Sequence, residues 1–243
     1  RWVFDNFPRW RGALAFDGTS YIETQNKTGA LFSELSKNSA GKPVLNPTGS
    51  SSMTLEMQLF LPAIANNEQV VCQMMSGSSQ GFSVNLLTTA SISSCTAQFS
   101  VVSGSAHMSV PVTLVKGAYN HVAFIFNREN GVPYLEAYLN SEPVAESRTR
   151  VGFDDMDIDG SSFLIGSGTA ITVGSSTLTP QSRLSGSIDE FRFFHSVRTA
   201  RQQALYAAKS IFSTSDLVLY YRFNEPPPPI ATTISDAING VVL

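Results

Sequence analysis

Apolar side chains recur at every second position along much of the chain, between short clusters of Ser, Gly, Asn and Pro. This spacing predicts β-strands, because successive side chains of a strand point to opposite faces. In residues 121–126, Val122, Phe124 and Phe126 fall on one face. The opposite face of this run is also nearly apolar, which predicts a central strand that is covered on both sides.

A second alternating run, 134–139, follows the cluster 127–131, whose Asn and Gly residues tolerate a positive φ. We therefore expect the two runs to form a hairpin. Similar runs occupy residues 53–61, 69–75, 82–87, 96–102, 108–114, 163–165, 186–194 and 217–223. Many short strands separated by turn signals predict an all-β protein, built as a two-sheet antiparallel sandwich.

Only one segment has a convincing helical period. Thr199 and Gln202 have the spacing of a capping box, in which the hydroxyl caps the first amides and the amide side chain reaches back. Leu205, Ala208 and Phe212 then recur at three- and four-residue intervals. The pattern predicts one short helix near the C-terminus, with these three residues on its packed face.

Residues 38–52 and 167–182 are rich in Gly, Ser, Thr and Pro, and they are predicted to be surface loops. Four consecutive prolines at 226–229 favour an extended segment that cannot donate backbone hydrogen bonds. We therefore expect the globular unit to end near Glu225.

The composition narrows the classes of protein further. Charged residues make up 14% of the 243 residues, against roughly 25% in an average soluble domain. The net charge of −3 supplies no positive field for a nucleic acid partner. No apolar run reaches the ~20 residues that a membrane span needs, and the first residues do not read as a signal peptide, so we expect a mature or excised segment.

Five short motifs follow one another in a recognisable order: ALAFDGTSYI at 13–22, YNHVAF at 119–124, YLNS at 138–141, FLIG at 163–166 and GSIDEFRFF at 186–194. Together they resemble the strands of laminin-G-like, concanavalin A-like lectin/glucanase jelly rolls. The resemblance covers roughly residues 13–225. It implies a jelly-roll domain over residues 1–225 with one short C-terminal helix, followed by a Pro-rich linker and tail, 226–243, that resembles the lead-in to a further module.

Cys72 and Cys95 are the only cysteines of the chain. An even count in a chain rich in Ser and Thr favours a disulfide between them, which would contribute roughly 3 kcal/mol. Two buried free thiols are the alternative. Asn26 begins the one usable glycosylation sequon. Both features agree with a secreted, extracellular or cell-surface protein.

The densest acidic stretch is residues 154–160, in which Asp155, Asp157 and Asp159 alternate before a glycine. This spacing is typical of the start of a calcium loop, but Gly166 stands where a closing Glu would be needed. The stretch also resembles the acidic strand of related sandwich glycosidases, in which two carboxyl groups lie about 5–5.5 Å apart for retaining hydrolysis. A solvated acidic turn is the interpretation that we favour.

Asp189 lies in an otherwise apolar and aromatic run, so its charge needs a partner. The family resemblance implies a structural calcium ion there, held together with carbonyls near Asp17. Hydrogen bonds from backbone or Arg groups are the alternative. His121 has apolar neighbours, which favours a buried, hydrogen-bonded histidine over a metal ligand.

No nucleophile elbow, phosphate loop, dinucleotide fingerprint or zinc protease motif occurs in the sequence. The leading hypothesis is a non-catalytic recognition or assembly module whose partners are glycans or neighbouring protein modules. Tyr134 and Tyr138 share one strand face and are candidates for sugar contacts. A glycoside hydrolase or polysaccharide lyase is one alternative, and a filament or coat subunit that self-assembles through the C-terminal tail is another.

Overall fold

The computed structural model describes residues 13–24, 45–47, 51–128, 131–148, 153–158, 161–207, 209–212 and 214–223. In chain order, these residues form β1 (Leu14–Asp17), β2 (Ile22–Glu23), β3 (Met53–Phe60), β4 (Gln69–Ser76), β5 (Gln80–Leu86), β6 (Ser94–Ser103), β7 (Ala106–Val115), β8 (Tyr119–Asn127), β9 (Tyr134–Leu139), β10 (Glu142–Arg148), β11 (Phe163–Ile165), β12 (Ile171–Val173), β13 (Ser176–Leu178), β14 (Ser185–Phe194), α1 (Ala200–Tyr206) and β15 (Leu217–Tyr221). In this part of the chain no helix is long and apolar enough to cross a membrane.

Two antiparallel sheets pack face to face around the core. The larger sheet has the order β1-β14-β3-β8-β9-β10, and β15 pairs with β14 beyond the end of β1. The smaller sheet has the order β2-β11-β4-β5-β6-β7, while β12 and β13 form a separate hairpin. The predicted two-sheet antiparallel jelly-roll sandwich with one short helix is confirmed, and each predicted strand run coincides with an observed strand.

One loop prediction is partly wrong, because residues 167–182 contain the β12-β13 hairpin. These three-residue strands are too short and too polar for alternation to stand out in the sequence. The hairpin is anchored by the buried Ile171 and by the Thr172 backbone amide, which donates to the Ser78 carbonyl at 2.8 Å. Predictions for Asn26, Asp159 and the tail 226–243, and for most of residues 38–52, lie outside the described residues.

Phenylalanine rings fill the space between the sheets. Phe163 of the smaller sheet lies 5.8 Å from Phe191 and 6.3 Å from Phe193 of the larger one, measured between ring centroids. Aromatic pairs at such distances contribute about 0.5–1.5 kcal/mol beyond the area that they bury. The face of β8 that carries Phe124 and Phe126 is fully buried in this core, as the alternation predicts.

The opposite face of the larger sheet carries a buried cluster of charges. The Glu56 carboxylate on β3 lies 2.8 Å from Arg192 Nη1 on β14, 3.1 Å from His121 Nε2 on β8 and 3.8 Å from Arg198 Nε. Burial opposes ionisation of Glu56, but the His121 hydrogen bond and the two guanidinium charges hold its pKa below the ordinary 4.5. His121 is thus a buried, hydrogen-bonded histidine, as its sequence context predicts.

Helix α1 lies over this charge cluster. Its predicted capping box is confirmed, because the Thr199 side chain accepts from the Gln202 amide while the Gln202 side chain accepts from Thr199. The predicted apolar face is wrong: Leu205 is 49% exposed within the helix, and Phe212, which is 90% exposed, lies beyond the helix end at Tyr206. The inward side chain is Gln203, which donates to the Arg198 carbonyl at 3.0 Å. A helix that covers charged groups needs polar contacts, so apolar spacing identifies the wrong side.

The predicted disulfide is also wrong, because Cys72 and Cys95 are both buried free thiols. Cys72 on β4 is level with Val84 of β5, which in turn is opposite Phe99 of β6. Cys95 lies four residues from Phe99, about 13 Å along the strand, and two strands away from Cys72. A disulfide needs Cα atoms within about 7 Å, so the register keeps the two thiols apart.

We therefore expect both thiols to react after the chain is denatured without reductant. A chromogenic thiol reagent should label two groups per denatured chain and should react far more slowly with the native protein, because both sulfurs are buried and burial raises the pKa of Cys72. A sample reduced beforehand serves as the control. A denatured chain that reacts only after reduction would contradict the structure.

Replacing Glu56 tests the charge cluster. The substitution Glu56→Gln leaves Arg192 and Arg198 without their shared counter-charge, so we expect a loss of about 3 kcal/mol in the free energy of unfolding at pH 7. Because the folded-state pKa of Glu56 lies below the ordinary 4.5, its contribution is present above about pH 4.5 and is lost as the pH falls through the folded value.

Urea unfolding at pH 7 and pH 3.5 measures both effects. Glu146→Gln, which removes a carboxylate from an exposed ion pair with Arg148, is the control, and we expect it to cost less than about 1 kcal/mol. Equal stability of the Glu56 and Glu146 variants at pH 7 would refute the role given to the cluster.

Candidate functional site

Asp17 and Asp189, the residues implied to share a calcium site, lie at opposite ends of the β1-β14 ladder. Asp17 is paired with Ser185 and Leu14 with Ile188, so Asp17 and Asp189 are about 13 Å apart along the strands. They do not form one site. A calcium ion bound near either carboxylate alone stays a prediction.

The Asp17 carboxylate has a local partner set in the turn after β1. Its Oδ1 accepts hydrogen bonds from the Thr19 amide at 2.8 Å, the Thr19 hydroxyl at 2.7 Å and the Ser20 amide at 3.0 Å. These bonds, led by the Thr19 hydroxyl, lower the pKa of Asp17 to about 2. Asp189 accepts a hydrogen bond from the Glu190 amide at 2.8 Å. Over the residues that the structure describes, no group of three or more His, Cys, Asp and Glu side chains could hold a metal ion.

Residues 153–158 are not a strand. Asp155 and Asp157 are exposed, whereas the nearby apolar residues Phe153, Met156 and Ile158 are buried. The Asp155 carboxylate accepts from Arg128 Nη1 at 2.9 Å, and the Asp157 backbone amide donates to Gln80 Oε1 at 3.1 Å. The favoured interpretation of an acidic turn agrees with this geometry, and the alternating strand of catalytic carboxylates does not.

The outer face of the larger sheet holds a row of three tyrosines, which we call the tyrosine strip: Tyr119, Tyr138 and Tyr134. On β8, positions 119, 123 and 127 lie on one face, and Ala123 and Asn127 are opposite Tyr138 and Tyr134 of β9. Positions four apart on a strand are about 13 Å apart. The strip therefore extends about 26 Å along β8 and β9, at the side of the sheet that leads to edge strand β10.

Tyr119 forms an open and fixed aromatic platform at one end of the strip. Its side chain is 50% exposed, and its ring centroid lies 5.4 Å from that of Phe60, its partner across the β3-β8 ladder. Ser187 of β14 is opposite Phe60 on the other side of β3, so Ser187, Phe60 and Tyr119 form one row across three strands. Burial and then the charge of Asp189 raise the pKa of Tyr119.

The two tyrosines proposed from the sequence are less open. The Tyr134 hydroxyl accepts from Asn127 Nδ2 at 2.8 Å, and the Arg148 guanidinium carbon lies 4.2 Å from the Tyr134 ring centroid. Burial and then the charge of Glu136 raise the pKa of Tyr138. The structure therefore keeps both sequence candidates on one face, and it adds Tyr119 as the most exposed ring.

Sequence reasoning missed Tyr119 and Phe60 as site residues. The signal for Tyr119 was present, because it stands two positions before His121 and hence on the same strand face. Phe60 could not be found in this way. Its place beside Tyr119 depends on the register of β3 against β8, which only the folded sheet defines.

Along the tyrosine strip the charges are mainly negative. Glu136 of β9 is directly opposite Glu146 of β10 in the ladder. Burial and then the charge of Glu146 raise the pKa of Glu136. Arg148, the exposed cation of β10, forms an ion pair with Glu146. The face thus combines aromatic rings with carboxylate acceptors.

Comparison with known proteins places the fold. The fold matches that of a Bacteroides ovatus protein provisionally described as carbohydrate binding, with 18% identity and a TM-score of 0.60. The match covers 97% of this chain and 58% of the Bacteroides protein. For the heptameric SAP-like pentraxin of Limulus polyphemus the values are 83% of this chain, 84% of the pentraxin, 13% identity and a TM-score of 0.56. The chain also matches the K499G mutant of NanB sialidase from Streptococcus pneumoniae over 79% of this chain and 27% of the sialidase, with 15% identity and a TM-score of 0.52.

No curated protein matches the sequence. The structural neighbours are too distant in sequence to show more than a common fold. The sequence model of the concanavalin A-like lectin/glucanases superfamily, in contrast, matches residues 16–202, more than half of the chain. The chain therefore belongs to the concanavalin A-like lectin/glucanases superfamily, as its sequence motifs predicted.

Proposed function

We propose that this domain is a non-catalytic recognition module that binds glycans on the tyrosine strip. The observation that carries the proposal is the half-exposed Tyr119 ring, which packs against Phe60 on the outer face of the sheet. Ser187 lies in the same cross-strand row, and Asp189 is two residues from it on β14. A pyranose ring has an apolar face that can lie on an aromatic ring. Its hydroxyl groups can donate hydrogen bonds to a neighbouring carboxylate.

Rigidity is the second element of the proposal. Ordering of side chains reduces the free energy of binding by about 0.5–1.5 kcal/mol for each flexible group. Tyr119 avoids part of this cost, because its ring already packs against Phe60 in the free protein. A platform on a strand is also held more firmly than one on a loop.

The length of the strip favours an extended chain over a single sugar. Tyr119 and Tyr138 lie on neighbouring strands, about 4.8 Å apart across the sheet, but about 13 Å apart along it. One sugar unit cannot contact both rings at that separation. We therefore propose an oligosaccharide that runs along β8 and β9, with weak contacts repeated along its length.

The comparisons support this proposal without testing it. The Bacteroides protein is provisionally described as carbohydrate binding, and it shares the fold over nearly the whole of this chain. We also propose an extracellular or cell-surface location, which rests on the low content of charged residues and on the family. The hydrolase or lyase alternative and the filament or coat alternative stay predictions, the latter because its tail lies outside the described residues.

Removing the platform tests the proposal. We expect Tyr119→Ala to weaken binding of the best ligand found on a broad glycan array by at least about tenfold, equivalent to 1.4 kcal/mol. Isothermal titration with that ligand measures the change. Tyr21→Ala is the matched control, because Tyr21 is a 44% exposed tyrosine outside the strip whose ring contacts Arg183.

The control variant should bind within about twofold of the unaltered protein. Circular dichroism should show that both variants keep the β-sandwich. Unchanged affinity of the Tyr119 variant would move the site elsewhere, and an array on which the protein binds no glycan would refute the function itself.

A further inference from the structure

The charges around the tyrosine strip limit which sugars it can accept. At one end of the strip, Asp189 is two residues along β14 from Ser187, which shares a cross-strand row with Phe60 and Tyr119. At the other end, Glu136 lies between Tyr138 and Tyr134, two residues from each on the same face of β9. Glu146 faces Glu136 across the β9-β10 ladder. Carboxylates therefore lie along the strip at both ends, while the Arg148 guanidinium already covers a face of the Tyr134 ring.

The pairing of Glu136 with Glu146 is unfavourable in the free protein. Like charges directly opposite one another destabilise an antiparallel pair. Arg148 offsets part of this repulsion, since it pairs with Glu146, but its guanidinium group also lies over the Tyr134 ring and is already engaged there. A further positive charge at this place would relieve the repulsion, and a further negative charge would increase it.

A bound glycan can bring either sign of charge. The free amino group of a hexosamine is an ammonium ion at neutral or slightly acidic pH, whereas sialic and uronic acids carry carboxylates. An ammonium group lying on the strip could donate hydrogen bonds to Glu136 or Asp189, and charge-assisted bonds are roughly twice as strong as neutral ones. A sugar carboxylate would meet acceptors of its own sign and lose its hydration shell against them.

We infer that the strip selects glycans that contain hexosamines with free amino groups and discriminates against acidic glycans. This inference rests on the proposed function, and it assigns the chemical class of the ligand. The aromatic rings supply contact with any pyranose, and the carboxylates supply the choice among sugars. The carboxylates therefore determine which sugar is selected, whereas the tyrosine rings supply the stacking contact.

The experiment compares two matched pairs of probes at pH 6 and low salt. A glucosamine hexamer carries free amino groups, whereas its fully N-acetylated counterpart carries neutral acetamido groups on the same sugar backbone. Lactose and sialyllactose differ by one acidic sugar. We expect the glucosamine hexamer to bind at least about tenfold more tightly than its acetylated counterpart, and sialyllactose to bind no more tightly than lactose.

Salt and substitution identify the source of the preference. Raising the ionic strength from about 0.02 M to 0.5 M should reduce the preference, because the screening length falls well below 10 Å above 0.1 M. The double variant Glu136→Gln, Glu146→Gln and the single variant Asp189→Asn should each reduce the preference at least about threefold while the acetylated hexamer still binds. Asp154→Asn, which removes an exposed carboxylate of the 153–158 turn, is the control and should leave the preference unchanged.

The outcomes separate this inference from the proposed function. Tighter binding of sialyllactose that is lost in Tyr119→Ala would overturn the inference and keep the function. Failure of the glucosamine hexamer to bind would overturn the inference, and a broad array on which no glycan binds would refute both. A preference for the glucosamine hexamer that survives in the Glu136/Glu146 and Asp189 variants would overturn the inference, because the attraction would then belong to the net charge of the whole protein.

Discussion

A carboxylate buried on the outside of a β-sheet must be neutralised, and Glu56 is such a carboxylate. Isolated burial of its charge would cost several kcal/mol. Arg192, Arg198 and His121 surround it, and these groups need a cover of their own. Helix α1 and the segment after it provide that cover through backbone carbonyls: Tyr206 accepts from Arg192 at 3.0 Å and Ala207 from Gln58 at 2.7 Å.

This arrangement divides the outer face of the larger sheet into two parts. Over β3, β14 and β15 the helix and the following residues cover the charge cluster, and the Ile211 amide donates to the Tyr220 hydroxyl at the far side. Over β8 and β9 the tyrosine rings reach solvent, with Tyr119 half-exposed and Tyr134 and Tyr138 partly exposed, while Ala123 and Ile125 beneath them are buried. The same sheet therefore serves as a support for a buried polar layer and as a rigid base for exposed rings. The recognition that we propose for the strip depends on that rigidity, since a sheet fixed on its inner face by phenylalanine packing keeps ring positions constant.

The strands of this protein were predictable because their signal is local. Alternation places side chains correctly in each run, and Thr199 with Gln202 defines the start of the helix without reference to the rest of the fold. The face of the helix was not predictable. Its partner is a charged layer assembled from β3, β8 and β14, so the inward residue is Gln203 and the apolar Leu205 is left in solvent.

The pairing of distant residues was also beyond the sequence. The even count of two cysteines favoured a disulfide between Cys72 and Cys95, yet the register across three strands separates them. Asp17 and Asp189 are divided by the β1-β14 register in the same way. The candidate platform shows the converse, because Tyr119 and Phe60 are far apart in the chain and are brought together by one ladder.

The most direct measurement is a nuclear magnetic resonance titration of the isotope-labelled protein with the tightest-binding oligosaccharide. The account predicts that the perturbed backbone amides cluster around Tyr119, Tyr138 and Ser187, whereas perturbations confined to the smaller sheet or to the loops at the ends of the sandwich would contradict it.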